Sequence, residues 1–179
     1  MLMQSEQSSL VLIDVQERLT PVMSDPRRVI HNCCLLVQFA RRLGVPVIAT
    51  EQYPKGLGPT MIDLRDLVTP EETIEKRHFS AADEPGFMAR LRGQSRRQVV
   101  MAGVEAHVCV LQTALALAAE WDVFVVTEAC ASRRDSSEQL AWRRLSHAGV
   151  ALVSVEMVLF EWLREAGTSE FKELSPFVR

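Results

Sequence analysis

The 179-residue sequence has neither the long apolar runs of a membrane protein nor the basic clusters of a nucleic-acid-binding protein. No apolar stretch approaches the roughly 20 residues that a membrane-spanning helix needs. The 20 basic and 23 acidic side chains are interspersed and leave a net charge of −3. Binding to nucleic acid or to an anionic membrane surface depends on concentrated positive charge, so we expect neither partner.

Several motifs of cofactor-dependent and hydrolytic proteins are also absent. No Gly-x-Gly-x-x-Gly and no Walker phosphate loop occurs, which disfavours nucleotide binding. The lack of a Gly-x-Ser-x-Gly elbow disfavours a serine hydrolase. The four histidines have no spacing relative to cysteines or acids that would bring three zinc ligands together. We therefore predict a protein without a metal or another cofactor.

Cysteine is scarce, and its spacing indicates no disulfide framework. The sequence contains no Cys-x-x-Cys pair, and no signal peptide precedes the first predicted strand. The four cysteines are Cys33, Cys34, Cys109 and Cys130. We expect free thiols, as in a protein of the reducing cytoplasm.

The sequence does contain a regular alternation of short apolar runs and segments with helical periodicity. Continuous apolar runs are typical of parallel strands that are covered on both faces. The alternation predicts one domain over residues 1–179, with a three-layer α/β/α, Rossmann-like architecture and a six-stranded parallel sheet. The predicted strands are 9–14, 45–50, 73–76, 98–103, 122–127 and 150–154.

Helix starts and one irregular segment can be predicted as well. Asp25, Asp135 and Ser154 precede helical periodicity and are expected to act as N-caps. A helix is predicted over 106–120. Segment 51–59 is rich in proline and glycine, which indicates a connection without regular structure.

An acid, an amine and a thiol follow three of the predicted strands. Asp14 ends the first strand, Lys76 ends the third, and Cys109 lies in the first turn of the helix after the fourth. In a parallel sheet all three fall on the edge where α/β proteins bind ligands. From position alone, Asp14 could instead cap a loop, and Lys76 could be a solvated charge.

These three residue types are the parts of an acyl-transferring cysteine hydrolase. A thiol at a helix start lies near the positive end of the helix dipole, which favours the thiolate. Asp14 can accept the thiol proton, and Lys76 can stabilise the thiolate. The turn before Cys109 can offer backbone N–H groups to an oxyanion. Gln52 and Tyr53 reach the same edge, either as pocket residues or as loop anchors.

Four segments carry a family resemblance: 12–16, 50–60, 75–80 and 102–114. With them the chain resembles the isochorismatase-like cysteine hydrolases, the superfamily that includes nicotinamidases and N-carbamoylsarcosine amidase. The resemblance implies a triad of Asp14, Lys76 and Cys109 and a cis peptide bond between Val104 and Glu105. It also implies an oxyanion hole formed by the N–H groups of Glu105 and Cys109. Gln16 and Phe79 match positions near the pocket.

Two departures from the family pattern narrow the expected function. The nicotinamidase branch has an Asp-x-His metal motif where this chain has Glu51, Gln52 and Tyr53, which disfavours zinc and nicotinamide. True isochorismatases lack the cysteine, so Cys109 argues against isochorismate. We predict a metal-independent hydrolase that cleaves a small amide, imide or carbamoyl-type C–N bond, other than a peptide bond, through a thioester. The alternative is a catalytically idle or redox-responsive oligomeric module that retains the fold.

Self-association is a further expectation. The resemblance implies dimers or larger assemblies, and the helix predicted after residue 154 carries Met157, Phe160 and Trp162. This is more apolar bulk than one buried face needs. The alternative is ordinary core packing of a helix at the edge of the sheet.

Overall fold

The computed structural model describes residues 1–178 and contains a six-stranded sheet in which all strand pairs are parallel. The strand order is β3-β2-β1-β4-β5-β6, so the chain changes direction across the sheet between β1 and β4. In α/β proteins such a switch point opens a crevice at the carboxyl ends of the strands. The strands are β1 Ser8–Ile13, β2 Val47–Gln52, β3 Thr73–Lys76, β4 Gln98–Val104, β5 Asp122–Ala131 and β6 Ala151–Val153.

Helices occupy both faces of this sheet. They are α1 Pro26–Arg42, α2 Pro54–Leu57, α3 Ile62–Arg65, α4 Pro85–Gly93, α5 Leu111–Leu117, α6 Asp135–His147, α7 Val155–Leu163 and α8 Ser169–Leu174. A π-helical turn, Ala106–Val110, connects β4 to α5. Short 3-10 segments lie at Ser5–Gln7, Thr20–Val22, Pro70–Glu72, Ala81–Asp83 and Ser175–Val178.

The two apolar layers follow from the alternation of side chains along each strand. Leu10 and Leu12 of β1 pack into the layer formed with α1 and α7. Val11 and Ile13, one position along, pack into the layer formed with α4, α5 and α6. Both β1 and β4 are buried along their whole length. The predicted three-layer α/β/α fold with a six-stranded parallel sheet is confirmed.

Three predicted element boundaries are wrong. Segment 51–59 is not irregular throughout, because β2 continues through Gln52 and α2 begins at Pro54. The strand predicted over 122–127 is too short, because β5 continues through Ala131 and pairs again with Gly103 and Val104 beyond a register shift. The helix predicted over 106–120 begins as the π-helical turn and becomes α-helical only at Leu111.

Two of the three predicted N-caps are confirmed. The Asp25 carboxylate accepts a hydrogen bond from the Arg28 N–H, and the Ser154 hydroxyl accepts one from the Met157 N–H. The third is wrong, because Asp135 is the first residue of α6 and Arg134 occupies the cap position without a side-chain hydrogen bond.

Within residues 1–178, none of the helices combines the length and the apolar character that crossing a membrane requires.

Candidate active site

The carboxyl edge of the sheet brings Asp14, Lys76 and Cys109 together. Asp14 follows β1, Lys76 is the last residue of β3, and Cys109 lies in the π-helical turn after β4. The side chains of Asp14 and Lys76 are completely buried, and Cys109 is 5% exposed. The three residues predicted from strand ends therefore form one buried cluster.

Asp14 is fixed by its backbone and by two partners. Its φ of 51° lies in the left-handed region, which turns the chain sharply at the end of β1. Carboxylate oxygen Oδ1 accepts a hydrogen bond of 2.6 Å from the Thr50 hydroxyl, and Oδ2 lies 2.8 Å from Lys76 Nζ. Burial raises the pKa of Asp14, while Lys76 and Thr50 act in the opposite direction.

Four oxygen atoms surround the ammonium group of Lys76. Besides Asp14, its Nζ donates to Gln52 Oε1 at 2.6 Å and to the carbonyls of His78 and Phe79 at 3.1 Å each. Lys76 is thus a buried partner of Asp14 rather than the solvated side chain that its position alone allowed.

Cys109 is a protonated thiol in the resting site. Burial raises its pKa to about 12, and the negative charge of Asp14 acts in the same direction. Lys76 lowers the pKa but does not compensate. Removal from water is the largest cause of this shift, so the position at a helix start does not by itself give Cys109 a low pKa.

The turn before Cys109 is held by contacts on both sides. The Val104–Glu105 peptide bond is cis. The Glu105 carbonyl accepts hydrogen bonds from the N–H groups of Val108 and Val110, at 3.1 and 3.2 Å. Its carboxylate accepts two more from Arg133, from the main-chain N–H at 3.2 Å and from Nε at 3.0 Å. Glu105 thereby anchors the turn to the segment after β5.

Two of the four predicted pocket residues support other parts of the site. Gln16 is completely buried, and its amide group bonds to the main chain of Gln52 and Gly58. Gln52 binds Lys76 through Oε1 and donates from Nε2 to the Arg77 carbonyl at 2.8 Å. The structure thus uses Gln16 to hold the segment after β2 and uses Gln52 to hold Lys76.

The other two predicted pocket residues contact Lys76 through their main chains and have exposed rings. Tyr53 is 47% exposed and Phe79 is 56% exposed. The Tyr53 N–H donates to the Lys76 carbonyl at 2.9 Å, and the Phe79 carbonyl accepts from Lys76 Nζ. The Arg77 guanidinium lies 5.5 Å from the centre of the Tyr53 ring. The main chains of both residues thus contact Lys76, while their rings are exposed.

Three further residues of the site were not found from the sequence. Thr50 binds Asp14, Thr113 binds the Cys109 carbonyl, and Glu84 binds the main chain of Arg77 and His78. The hydrogen bonds from the Arg77 and His78 N–H groups lower the pKa of Glu84 to about 2. Thr50 could have been found from its place at the end of a strand next to β1. No sequence pattern singles out the other two: a helical threonine commonly bonds the carbonyl four residues earlier, and Glu84 binds main-chain atoms of a loop.

The donor set around the site does not fit a metal ion. Residues 1–178 contain no group of three or more His, Cys, Asp and Glu side chains arranged as ligands. Where the related nicotinamidase motif would stand, the Glu51 carboxylate accepts hydrogen bonds from the N–H and hydroxyl of Thr60. Its neighbour Gln52 is committed to Lys76 and Arg77.

Sequence comparison links the chain to one family. The isochorismatase domain model matches residues 8–157. Isochorismatase domain-containing protein 2A of Mus musculus is 33% identical over 177 residues, which cover 97% of this chain and 84% of the mouse protein.

Solved structures give the same relationship. YcaC from Pseudomonas aeruginosa, in a structure with hexane-2,5-diol and covalent acrylamide, has a TM-score of 0.92 at 25% identity and covers 98% of this chain and 91% of its own. The YcaC product of Escherichia coli, an octameric hydrolase of unknown specificity, has a TM-score of 0.92 at 26% identity, with coverages of 98% and 90%. The chain thus belongs to the isochorismatase family and has the isochorismatase-like hydrolase fold.

Proposed function

We propose that this protein is a cysteine hydrolase that cleaves a small amide, imide or carbamoyl-type C–N bond, other than a peptide bond, without a metal ion. The observation that carries this proposal is the buried ion pair of Asp14 and Lys76 beside the Cys109 thiol. An ion pair removed from water costs free energy, and mere packing does not need one. A charged pair that acts on a thiol supplies what nucleophilic catalysis requires.

The proton balance of the site supports Asp14 as the base. Cys109, with a pKa of about 12, holds its proton at neutral pH and needs an acceptor before it can attack. Asp14 is the carboxylate beside it, and burial raises the pKa of Asp14 and so makes it a stronger base. Lys76 keeps the carboxylate in place and compensates the negative charge that moves to sulfur.

Acylation then proceeds in two steps. The Cys109 proton moves to Asp14, and the thiolate attacks the carbonyl carbon of the substrate to form a tetrahedral oxyanion. The backbone N–H groups of Glu105 and Cys109 stabilise this oxyanion. Asp14 gives the proton to the nitrogen, the C–N bond breaks, the amine leaves, and a thioester on Cys109 remains.

Deacylation restores the starting state. A water molecule gives a proton to Asp14 and attacks the thioester carbon, which forms a second tetrahedral oxyanion. The C–S bond breaks, the thiolate leaves and regains its proton from Asp14, and the acid is released. The net change is one amide and one water converted to one amine and one carboxylic or carbamic acid.

The surroundings of the cluster favour a small substrate with an apolar part. Tyr53 and Phe79 adjoin Lys76 through their main chains and have exposed rings, whereas the polar groups of Gln16 and Gln52 are engaged within the protein. The covalent acrylamide on the P. aeruginosa relative is a further support, because acrylamide is a small amide that reacts with nucleophiles.

The alternative of a redox-responsive module receives less support. Oxidation of a cysteine requires the thiolate and access to the oxidant. Cys109 is 5% exposed with a raised pKa, and Cys33 and Cys130 are completely buried. The four cysteines form no disulfide bond within residues 1–178.

We also propose that the chain forms dimers or larger assemblies. Of the three apolar residues expected on an assembly surface, Met157 and Phe160 are 46% and 42% exposed. Trp162 is not available, because it is buried and donates from Nε1 to the Ser8 hydroxyl at 3.0 Å. The octameric state of the E. coli relative supports the proposal.

Cysteine alkylation tests the catalytic proposal without knowledge of the substrate. Cys34 is the most exposed thiol, and its pKa is raised to about 11 against about 12 for Cys109. Passive thiols would thus react with iodoacetamide at Cys34 first. If Asp14 accepts the proton, Cys109 reacts first, and Asp14→Asn slows Cys109 by at least about tenfold while Cys34 keeps its rate.

Mass spectrometry of the alkylated peptides measures both rates in one sample. Cys34→Ser serves as the matched control and leaves the Cys109 rate unchanged. Uniform labelling of the four cysteines, or a Cys109 alkylation rate that is the same in the native protein and in Asp14→Asn, would refute the proposal. A panel of small amides, imides and carbamoyl compounds, with Cys109→Ser as the inactive reference, then identifies the substrate class.

A further inference from the structure

We infer that Thr113 is a positioning residue that sets the placement of Cys109 relative to Lys76. This inference rests on the proposed function, because it concerns the geometry of the proposed nucleophile. Thr113 lies in α5, one helical turn after Cys109, and its side chain is completely buried. Its hydroxyl connects two segments that are distant in sequence.

The two hydrogen bonds of this hydroxyl run in opposite directions. Thr113 Oγ1 donates to the Cys109 carbonyl at 2.7 Å and accepts from the Ala81 N–H at 2.9 Å. A hydroxyl has one proton to donate, so its direction is fixed by the carbonyl, and the amide uses a lone pair. The main chain of the nucleophile is thereby bonded, through one atom, to the segment that follows β3.

That segment also holds the lysine. Phe79, two residues before Ala81, accepts a hydrogen bond from Lys76 Nζ at 3.1 Å through its carbonyl. A continuous path therefore leads from the Lys76 ammonium through residues 79–81 and the Thr113 hydroxyl to the Cys109 carbonyl.

The sheet does not supply such a connection by itself. Lys76 lies on β3, which is an edge strand, and Cys109 follows β4, with β2 and β1 between them. Small rotations of each strand pair would add up between the ammonium and the thiol. A direct bond outside the sheet removes this freedom. The hydrogen bond from Thr113 to the Cys109 carbonyl also spans the point where the π-helical turn changes to α-helix at Leu111.

The test uses a pair of buried threonines. Thr113→Val keeps the shape and removes both hydrogen bonds, whereas Thr113→Ser keeps the hydroxyl. Thr20→Val is the matched control, since Thr20 is also completely buried and its hydroxyl has no protein partner within residues 1–178. The probe is iodoacetamide, and the readout is the Cys109 alkylation rate relative to Cys34 between pH 6 and pH 10.

We expect Thr113→Val to lower this ratio by about tenfold or more, because a displacement of about 1 Å costs a reacting pair a large factor. Thr113→Ser should restore the ratio to within about threefold of the native protein, and Thr20→Val should not change it. A merely structural threonine would alter the melting temperature but not this ratio. If Thr113→Val does not fold, Thr113→Ala removes the same hydroxyl without the added methyl group.

An unchanged ratio in a folded Thr113→Val or Thr113→Ala protein would overturn the inference. This outcome is distinct from failure of the proposed function. In that case native Cys109 reacts no faster than Cys34, and Asp14→Asn does not change the Cys109 alkylation rate. In the first case the native ratio still depends on Asp14.

Discussion

At the scale of single residues, burial decides the charge state of the site. A rise in the pKa of Cys109 from its ordinary 9.0 to about 12 corresponds to about 4 kcal/mol against the thiolate. A helix terminus contributes only about 0.3–1 kcal/mol in its favour. Burial therefore favours the protonated thiol. Under the proposed function its reactivity depends on Asp14, which is paired with Lys76.

Lys76→Met tests the pairing of Asp14 with Lys76 through the free energy of unfolding. The variant leaves the Asp14 carboxylate buried without its positive partner, which should cost about 3–5 kcal/mol at neutral pH. Without Lys76 the pKa of Asp14 rises further, so the folded state binds a proton that the unfolded state releases. The stability of the variant is then fully present below the unfolded pKa and is lost as the pH rises through the folded pKa.

Urea unfolding of the native protein and of Lys76→Met from pH 5 to pH 9 measures this loss. The native protein should depend on pH less steeply than the variant over this range. The double variant Asp14→Asn/Lys76→Met is the control, and it should recover much of the stability and lose the added pH dependence. A constant difference between native and Lys76→Met proteins across the pH range would contradict the assigned charges.

At the scale of elements, the contact of β1 with β4 places Cys109 next to Asp14. Gly103 pairs with Ile13, the residue before Asp14, and has a φ of 120°, a conformation that L side chains rarely adopt. A Cβ at Gly103 would lie 2.0 Å from the Ile13 carbonyl oxygen. The close approach of these two main chains brings the turn that carries Cys109 next to Asp14, and only glycine permits it.

Gly103→Ala should therefore destabilise the protein by about 2–4 kcal/mol, because the main chain of β1 cannot move aside in a packed sheet. Gly86→Ala is the matched control: Gly86 lies in α4, and a Cβ there meets no heavy atom within 4 Å. It should be neutral or stabilising by up to about 1 kcal/mol. Thermal and chemical denaturation compare the stabilities of the two variants. Equal stabilities would contradict the prediction, because they would mean that the main chain of β1 moves to accommodate the new methyl group.

At the scale of the whole molecule, the two helical layers differ in what they leave exposed. The layer with α7 and α8 presents Met157, Phe160 and Phe177, each between 42% and 50% exposed, and Phe160 packs against Phe171 with ring centres 6.3 Å apart. The opposite layer exposes Leu140 on α6. The first surface has the apolar and aromatic side chains that contacts between copies favour.

Light scattering after gel filtration tests the assembly. We expect a mass that is a multiple of the 20.1 kDa chain, and a shift towards the single chain in Phe160→Glu, since a buried charge opposes association. Leu140→Glu, an equally apolar-to-charged change on the other layer, should leave the mass unchanged. A native protein that elutes as one chain would end the proposal.

The sequence by itself determined the layered fold, the order of strands and helices, and the three residues of the buried cluster. These depend on local patterns: continuous apolar runs specify buried parallel strands, and a residue at the end of such a strand lies at one known edge. The tertiary structure alone decided the protonation of Cys109, the engagement of Gln16 and Gln52 inside the protein, and the bond of Thr113 to Ala81. A pKa depends on how completely a group leaves water, and a hydrogen bond to a distant main-chain atom carries no side-chain pattern.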